Sequence, residues 1–234
     1  MKKQILSLAA AAACLCATAE ITPTERGARI TVDSITTEVT VYSPSMVRVM
    51  KYVGTRPDTG APASGPASEM DLKRVEAKGK HKIDTGEFYA AINEKDGNVS
   101  FWGHDGNLIL AEQHRSASLT PSSDSEGYTV RQDFQFGRSE ADTIICPACK
   151  TARPVNLKGR SAGFGNASQD LPVPYITTEK GYGILWMSPG PGRVDDTPGR
   201  EVRKPGDVTF TSDSAPAIDY FFVYPAPADI AIPE

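Results

Sequence analysis

Apolar positions along this 234-residue chain recur mostly at every second residue, in short runs closed by Gly, Pro, Asp or Asn. A period of two marks a half-buried β-strand, because successive side chains leave a strand on opposite faces. Ala28 to Val32 and Glu38 to Tyr42 alternate in this way. Met46 to Met50 continues the series, with Pro44 just ahead of it, where a missing amide costs little. The clearest local signal is three apolar runs, Glu87 to Ile92, Val99 to Trp102 and Leu108 to Leu110, separated by Asp96-Gly97 and Asp105-Gly106. Aspartate-glycine pairs tolerate the positive φ angles of tight hairpins, so a three-stranded meander is predicted. Further strands are expected at Tyr128 to Phe136, Val173 to Thr178, Tyr182 to Met187 and Ile218 to Tyr224, with Lys180-Gly181 turning the chain between Val173–Thr178 and Tyr182–Met187. Helical periodicity is almost absent, and the pattern predicts an all-β fold, an antiparallel β-sandwich.

Two stretches break the alternation. Gly54 to Ser68 is Gly, Pro, Ala, Ser and Thr without apolar period, and it is read as an exposed loop. Ser188 to Asp207 is crowded with proline, glycine and charge and is read as a long surface connection.

The N-terminus differs from the rest. Lys2 and Lys3 precede a mostly apolar stretch from Ile5 to Leu15, and Ala17-Thr18-Ala19 has the small-x-small form of a cleavage site. Residues 1–19 therefore read as a signal peptide and residues 20–234 as one β domain, secreted or periplasmic. A lipid anchor on Cys14 is the weaker alternative, since alanines stand where a lipoprotein signal carries leucine. No later stretch reaches the ~18 apolar residues of a membrane span. The formal net charge of -4 becomes more negative when Lys2 and Lys3 leave, and no dense run of Lys and Arg favours nucleic acid. Cys14 and Cys16 leave with the leader. Cys146 and Cys149 remain, with two residues between them and no second pair nearby, a spacing that fits a local disulfide better than a four-ligand zinc site.

The order of several short motifs resembles a known family. They are Val47-Arg48-Val49, Gly106-Asn107-Leu108, Asn156-Leu157-Lys158-Gly159-Arg160, Leu171-Pro172-Val173-Pro174-Tyr175, Gly181-Tyr182-Gly183-Ile184-Leu185-Trp186 and Asp219-Tyr220-Phe221-Phe222-Val223-Tyr224. In this order they resemble the N-terminal β-sandwich of family 31 glycoside hydrolases, the α-glucosidase and α-xylosidase group. The resemblance implies a galactose-mutarotase-like supersandwich that packs beside a (β/α)8 barrel and sends a loop over the barrel's active-site mouth. Retaining glycosidases use two carboxyl groups about 5 Å apart, and in this family both are barrel aspartates. No aspartate motif of that kind is found here, so the chain is expected to be non-catalytic, a carbohydrate-binding or substrate-flanking module of an exported α-glycosidase. The alternative is a gene fragment without independent function. Thr143 to Arg153 departs from the family pattern, and a shifted reading frame or a Cys146–Cys149 disulfide stay open as its explanation.

The same resemblance places the loop from Asn156 to Gln169 toward a sugar. Arg160, Asn166 and Gln169 are candidate hydrogen-bonding partners of hydroxyls, and Phe164 is a candidate stacking ring. The expected ligand is an α-linked glucose- or xylose-containing oligosaccharide, with a catalytic barrel as the partner in full-length relatives. No cofactor or metal is implied. Trp102 and Trp186 could each stack on a sugar, although an isolated tryptophan on an alternating strand more often packs in the core. Glu38, Glu87 and Glu112 lie on or beside strands, with no spacing that pairs them for acid and base work. Without a barrel beside it, the domain is expected to expose a contiguous apolar patch.

Overall fold

Two antiparallel sheets face each other with the alternating apolar residues between them, as the period-two pattern requires. The structure, a computed structural model, describes residues 20–60, 72–77, 79–123, 126–136, 144–146, 155–165, 174–196 and 207–225. The first sheet runs, edge to edge, through Thr22–Thr24, Gly27–Val32, Ile35–Ser43, Met46–Val53, Ile218–Val223, Gly183–Trp186, Tyr175–Thr178, Ile144–Cys146 and Val155–Asn156. The second runs through Ser161–Phe164, Gly192–Asp195, Asp207–Ala215, Tyr128–Gln135, Leu108–Glu112, Val99–Trp102, Tyr89–Asn93, Lys80–Asp84 and Lys73–Ala77, with Ser118–Pro121 paired beside Tyr128–Gln135. No described helix is long and apolar enough to cross a membrane.

The predicted meander is present as Tyr89–Asn93, Val99–Trp102 and Leu108–Glu112, in consecutive antiparallel pairing. Gly97 and Gly106 take the positive φ values, 65° and 81°, that the aspartate-glycine turns called for. The Lys180-Gly181 step also turns as read, the Gly181 amide donating to the Thr178 carbonyl at 3.0 Å.

Aromatic side chains from both sheets fill the space between them. Phe101 stacks on Phe222 with centroids 3.8 Å apart, Phe134 meets Tyr220 edge-on, and Trp186 lies against Phe210. Trp186 is a core residue, and its indole N–H donates to Ser212 Oγ at 2.9 Å, so burial leaves that donor paired. Burying ring area of this kind, together with offset and edge-on ring contacts, is the main favourable term holding the layers together.

Two readings need correction. Part of the expected surface connection is a strand: Gly192–Asp195 pairs with both Ser161–Phe164 and Asp207–Ala215. Its glycine, taken as a loop signal, is there because a Cβ on Gly192 would stand 2.2 Å from the Thr211 carbonyl oxygen. The expected apolar patch is not found among the described residues, whose exposed large apolar side chains are Val53, Val75 and Leu108, on three separate strands. Residues 1–19 and Cys149 lie outside the described residues, as do residues 61–68 of the expected exposed loop.

One polar group crosses the core. Lys51 on the first sheet forms a 2.7 Å ion pair with Glu112 Oε2 on the second, and Tyr220 donates its hydroxyl to Glu112 Oε1 at 2.9 Å. Burial, then the Glu112 charge, push the Tyr220 phenol well above its ordinary range. Unfolded tyrosine ionises near pH ~10, while folded Tyr220 keeps its proton beyond that. Its contribution to stability is therefore complete below about pH 10 and is lost as pH rises further, by about 1.4 kcal/mol per pH unit. Tyr175, pushed up to about 12 by burial, adds a second limb of the same sign. Urea unfolding at a series of alkaline pH values should show a slope shallower by about 1.4 kcal/mol per pH unit in Tyr220→Phe.

Candidate functional site

Four of the motifs that carried the family resemblance, at Val47–Val49, Tyr175, Gly183–Trp186 and Asp219–Val223, fall on neighbouring strands of the first sheet. Met46–Val53 pairs with Ile218–Val223, which pairs with Gly183–Trp186, which pairs with Tyr175–Thr178. Inward positions of these strands feed the aromatic core. On the outer face, Arg48 and Asp219 form a buried two-pronged ion pair, Nε to Oδ1 at 2.9 Å and Nη2 to Oδ2 at 2.6 Å. Arg48 Nη2 also donates to Thr59 Oγ1 at 2.5 Å, and the Thr59 hydroxyl passes its own hydrogen on to Asp219 Oδ2 at 2.6 Å. Arg48 Nη1 donates to the Tyr42 hydroxyl, and the guanidinium lies over the Phe221 ring. The Asp219 amide is held by Ser188 Oγ.

Burial opposes the charge on Arg48, but its hydrogen bonds and attraction to Asp219 and Tyr42 outweigh that and hold the guanidinium above its ordinary range. Both charges are thus consumed by each other. Residues 54–60, most of them exposed as read, are fastened to the outer face of the first sheet through Thr59, and Arg56 Nε adds a 2.9 Å bond to Glu38. The group is a structural knot rather than a reaction centre.

The Asn156 to Arg160 motif forms a tight turn. The Asn156 side chain accepts from the Lys158 amide, the Arg160 amide donates to Leu157 O at 2.9 Å, and Asp196 Oδ2 accepts from the Gly159 amide at 2.7 Å. Leu157 is buried and anchors the turn, while the Arg160 side chain is exposed at its end. Phe164 does not share that exposure. It is 3 % exposed and packs inward on Gly192, where a Cβ would come within 2.5 Å of the ring. Asn166 and Gln169 lie outside the described residues. Among the described residues no group of three or more His, Cys, Asp or Glu is placed to hold a metal ion.

A second aromatic site stands on the outer face of the second sheet, and only one of its members was legible as a candidate. Trp102 and Tyr89 are direct cross-strand partners, both half-buried, and His104 meets Tyr89 edge-on at 4.7 Å. Lys80 Nζ lies 5.0 Å from the Trp102 centroid, and Lys82 Nζ lies within 6 Å of both rings. These five side chains line an open pocket of about 470 Å³. Alternation alone shows that Lys80 and Lys82 share a face, but strand register was needed to set them beside Trp102.

No protein-family profile matches the chain. Among curated proteins, α-xylosidase A of Aspergillus niger is 25% identical over 171 residues, covering 73% of this chain and 19% of that protein. Among solved structures, a family 31 α-xylosidase from a soil metagenome, complexed with xylose, aligns with a TM-score of 0.69 at 19% identity, over 87% of this chain and 32% of that one. The family 31 dextranase of Flavobacterium johnsoniae aligns at 0.65 and 11% identity, over 84% and 24%. The α-xylosidase of Xanthomonas citri aligns at 0.59 and 21% identity, over 78% and 20%. The chain spans about a fifth of the curated relative and at most about a third of these solved enzymes. Motif order, a matching all-β sandwich and a sequence relative meet on one stretch, and the chain is accordingly similar, over most of its length, to a partial region of family 31 glycoside hydrolases.

Proposed function

We propose that this chain is the N-terminal, non-catalytic sandwich module of an exported α-glycosidase, supporting a catalytic barrel and flanking its substrate. The observation that carries the reading is the asymmetry of the match: most of this chain aligns to a minor share of each enzyme. Chemistry in such enzymes needs two carboxyl groups about 5 Å apart, and in this proposal the barrel supplies them. The turn ending in Arg160, with Asn166 and Gln169 beyond it, is the module's sugar-facing loop. Phe164 acts there as the loop's inward anchor, in keeping with its burial.

The test is thermal unfolding of the mature chain with xylo- and gluco-oligosaccharides. A ligand that binds only the native form stabilises it by about 1.4 kcal/mol at roughly ten times its Kd, and the midpoint must rise. Arg160→Ala should abolish the rise and leave the sugar-free midpoint unchanged, because this exposed side chain has no packing role. Cleavage of an aryl α-xyloside or α-glucoside should stay at the buffer rate. A flat melting curve at saturating sugar removes the flanking role, and genuine turnover removes the non-catalytic one.

A further inference from the structure

The pocket around Trp102 is built differently from the sugar-facing loop and points to a different ligand. Aromatic rings on a sheet's outer face ordinarily lie flat among polar neighbours or are covered. Here Trp102 and Tyr89 line an open recess, and the Trp102 indole is held in place by its N–H donating to Ser100 Oγ at 2.9 Å. The strand beside it carries a β-bulge, Phe101 pairing with Leu110 while Trp102 pairs with Leu108. Bulges of this kind re-aim side chains and bend the local surface.

Charge then narrows the ligand. The whole chain is acidic, with a net charge of -4, yet Lys80 and Lys82 stand together over these rings. Among the described residues neither lysine has an ion-pair partner, and the nearby acid Asp84 bonds His104 at 3.1 Å. Lysine stems lying over an aromatic face are common, and cation–π attraction at an exposed ring is worth only about 0.5–1 kcal/mol. Such a weak contact yields readily to a carboxylate that brings its own ion pair. The volume suits one or two sugar rings, within the range of small-ligand sites.

We infer that this face is a second carbohydrate site, selective for an acidic saccharide whose apolar ring face stacks on Trp102 and whose carboxylate pairs with Lys80 and Lys82. An oligouronide has both properties; a neutral xylo- or gluco-oligosaccharide has only the first, and an acidic peptide only the second. The inference goes beyond the module role and does not rest on it.

The chain has two tryptophans, one half-exposed in this pocket and one in the core, so its emission reports the site directly. Titrating the full chain with tetragalacturonate should give a saturable emission change and protect Trp102 from acrylamide quenching. Lys80→Glu with Lys82→Glu should weaken binding at least about tenfold, as loss of a charge-assisted contact requires. Trp102→Ala should abolish it, and Arg160→Ala should leave it intact, which separates this site from the sugar-facing loop. The lysine variants alter only half-buried side chains on the outer face, so they keep the test decisive even where Trp102→Ala perturbs folding. Added salt should weaken the complex. The proposal is overturned by no emission change, by equal binding of xylotetraose, by equal binding of polyglutamate, or by full affinity in the double lysine variant.

Discussion

Glu112→Ala is expected to cost this fold about 3–5 kcal/mol, because it leaves a buried ammonium without its counterion. Three donors converge on this carboxylate: Lys51 Nζ at 2.7 Å, the Val99 amide at 2.5 Å and the Tyr220 hydroxyl at 2.9 Å. Lys51 retains only the Gly97 carbonyl at 3.3 Å once Glu112 is gone. Total stability of a domain is about 5–15 kcal/mol, so a loss of this size removes a large share of it. Urea denaturation of the two proteins checks the figure. Pairing Lys51→Met with Glu112→Leu should be less damaging than Glu112→Ala alone, since two apolar residues remove the stranded charge. That double variant should still fall short of the parent, with the Val99 amide and Tyr220 hydroxyl unpaired at about 1–3 kcal/mol each. A Glu112→Ala protein as stable as the parent would mean that the two sheets are not bridged this way.

Asp219→Ala should be of similar size, about 3–5 kcal/mol, and should add a local effect. Arg48 is 4 % exposed and Asp219 fully buried, so either partner left alone is a charge out of water. Thr59 reaches both members, and its hold on residues 54–60 depends on them. Hydrogen exchange should therefore accelerate in residues 54–60 of the variant beyond the general loss of stability. Arg48→Lys should not rescue function of the pair. A lysine ammonium cannot make the two parallel bonds that the guanidinium makes to Oδ1 and Oδ2. Unchanged exchange in 54–60 would show that this segment is held by something other than the ion pair.

These two pairs depend on contacts that no local pattern encodes. Val39, Val41, Val47 and Val49 all lie inside, in keeping with the alternation of their strands, because period two directly encodes which residues share a face. Lys51 and Glu112 continue the inward series of their strands, and by residue type each looked like surface. Only the opposite sheet, which brings them within 2.7 Å, makes their burial tolerable. Arg48 and Asp219 each stand in a resemblance motif, but at 171 residues apart nothing local pairs them. The strand at Asp207–Ala215 has a weak local signal, although Val208 and Phe210 alternate inward, because a single apolar pair is too short until neighbours on both sides supply the ladder. Of the expected sugar contacts, Arg160 is exposed at the end of its turn, whereas the fold turns Phe164 into the core.

What the amino-acid order settles by itself is local: strand periodicity, the aspartate-glycine turns at Gly97 and Gly106, and the succession of motifs that resembles one region of a glycosidase family. What only the tertiary structure decides is pairing: which strands neighbour each other, which charges find partners across the core, and which rings and lysines meet on an outer face. Side-chain alternation is dictated by backbone geometry within a few residues, but strand partnership is decided by contacts between distant segments, whose free energy exists only once both sheets are in place.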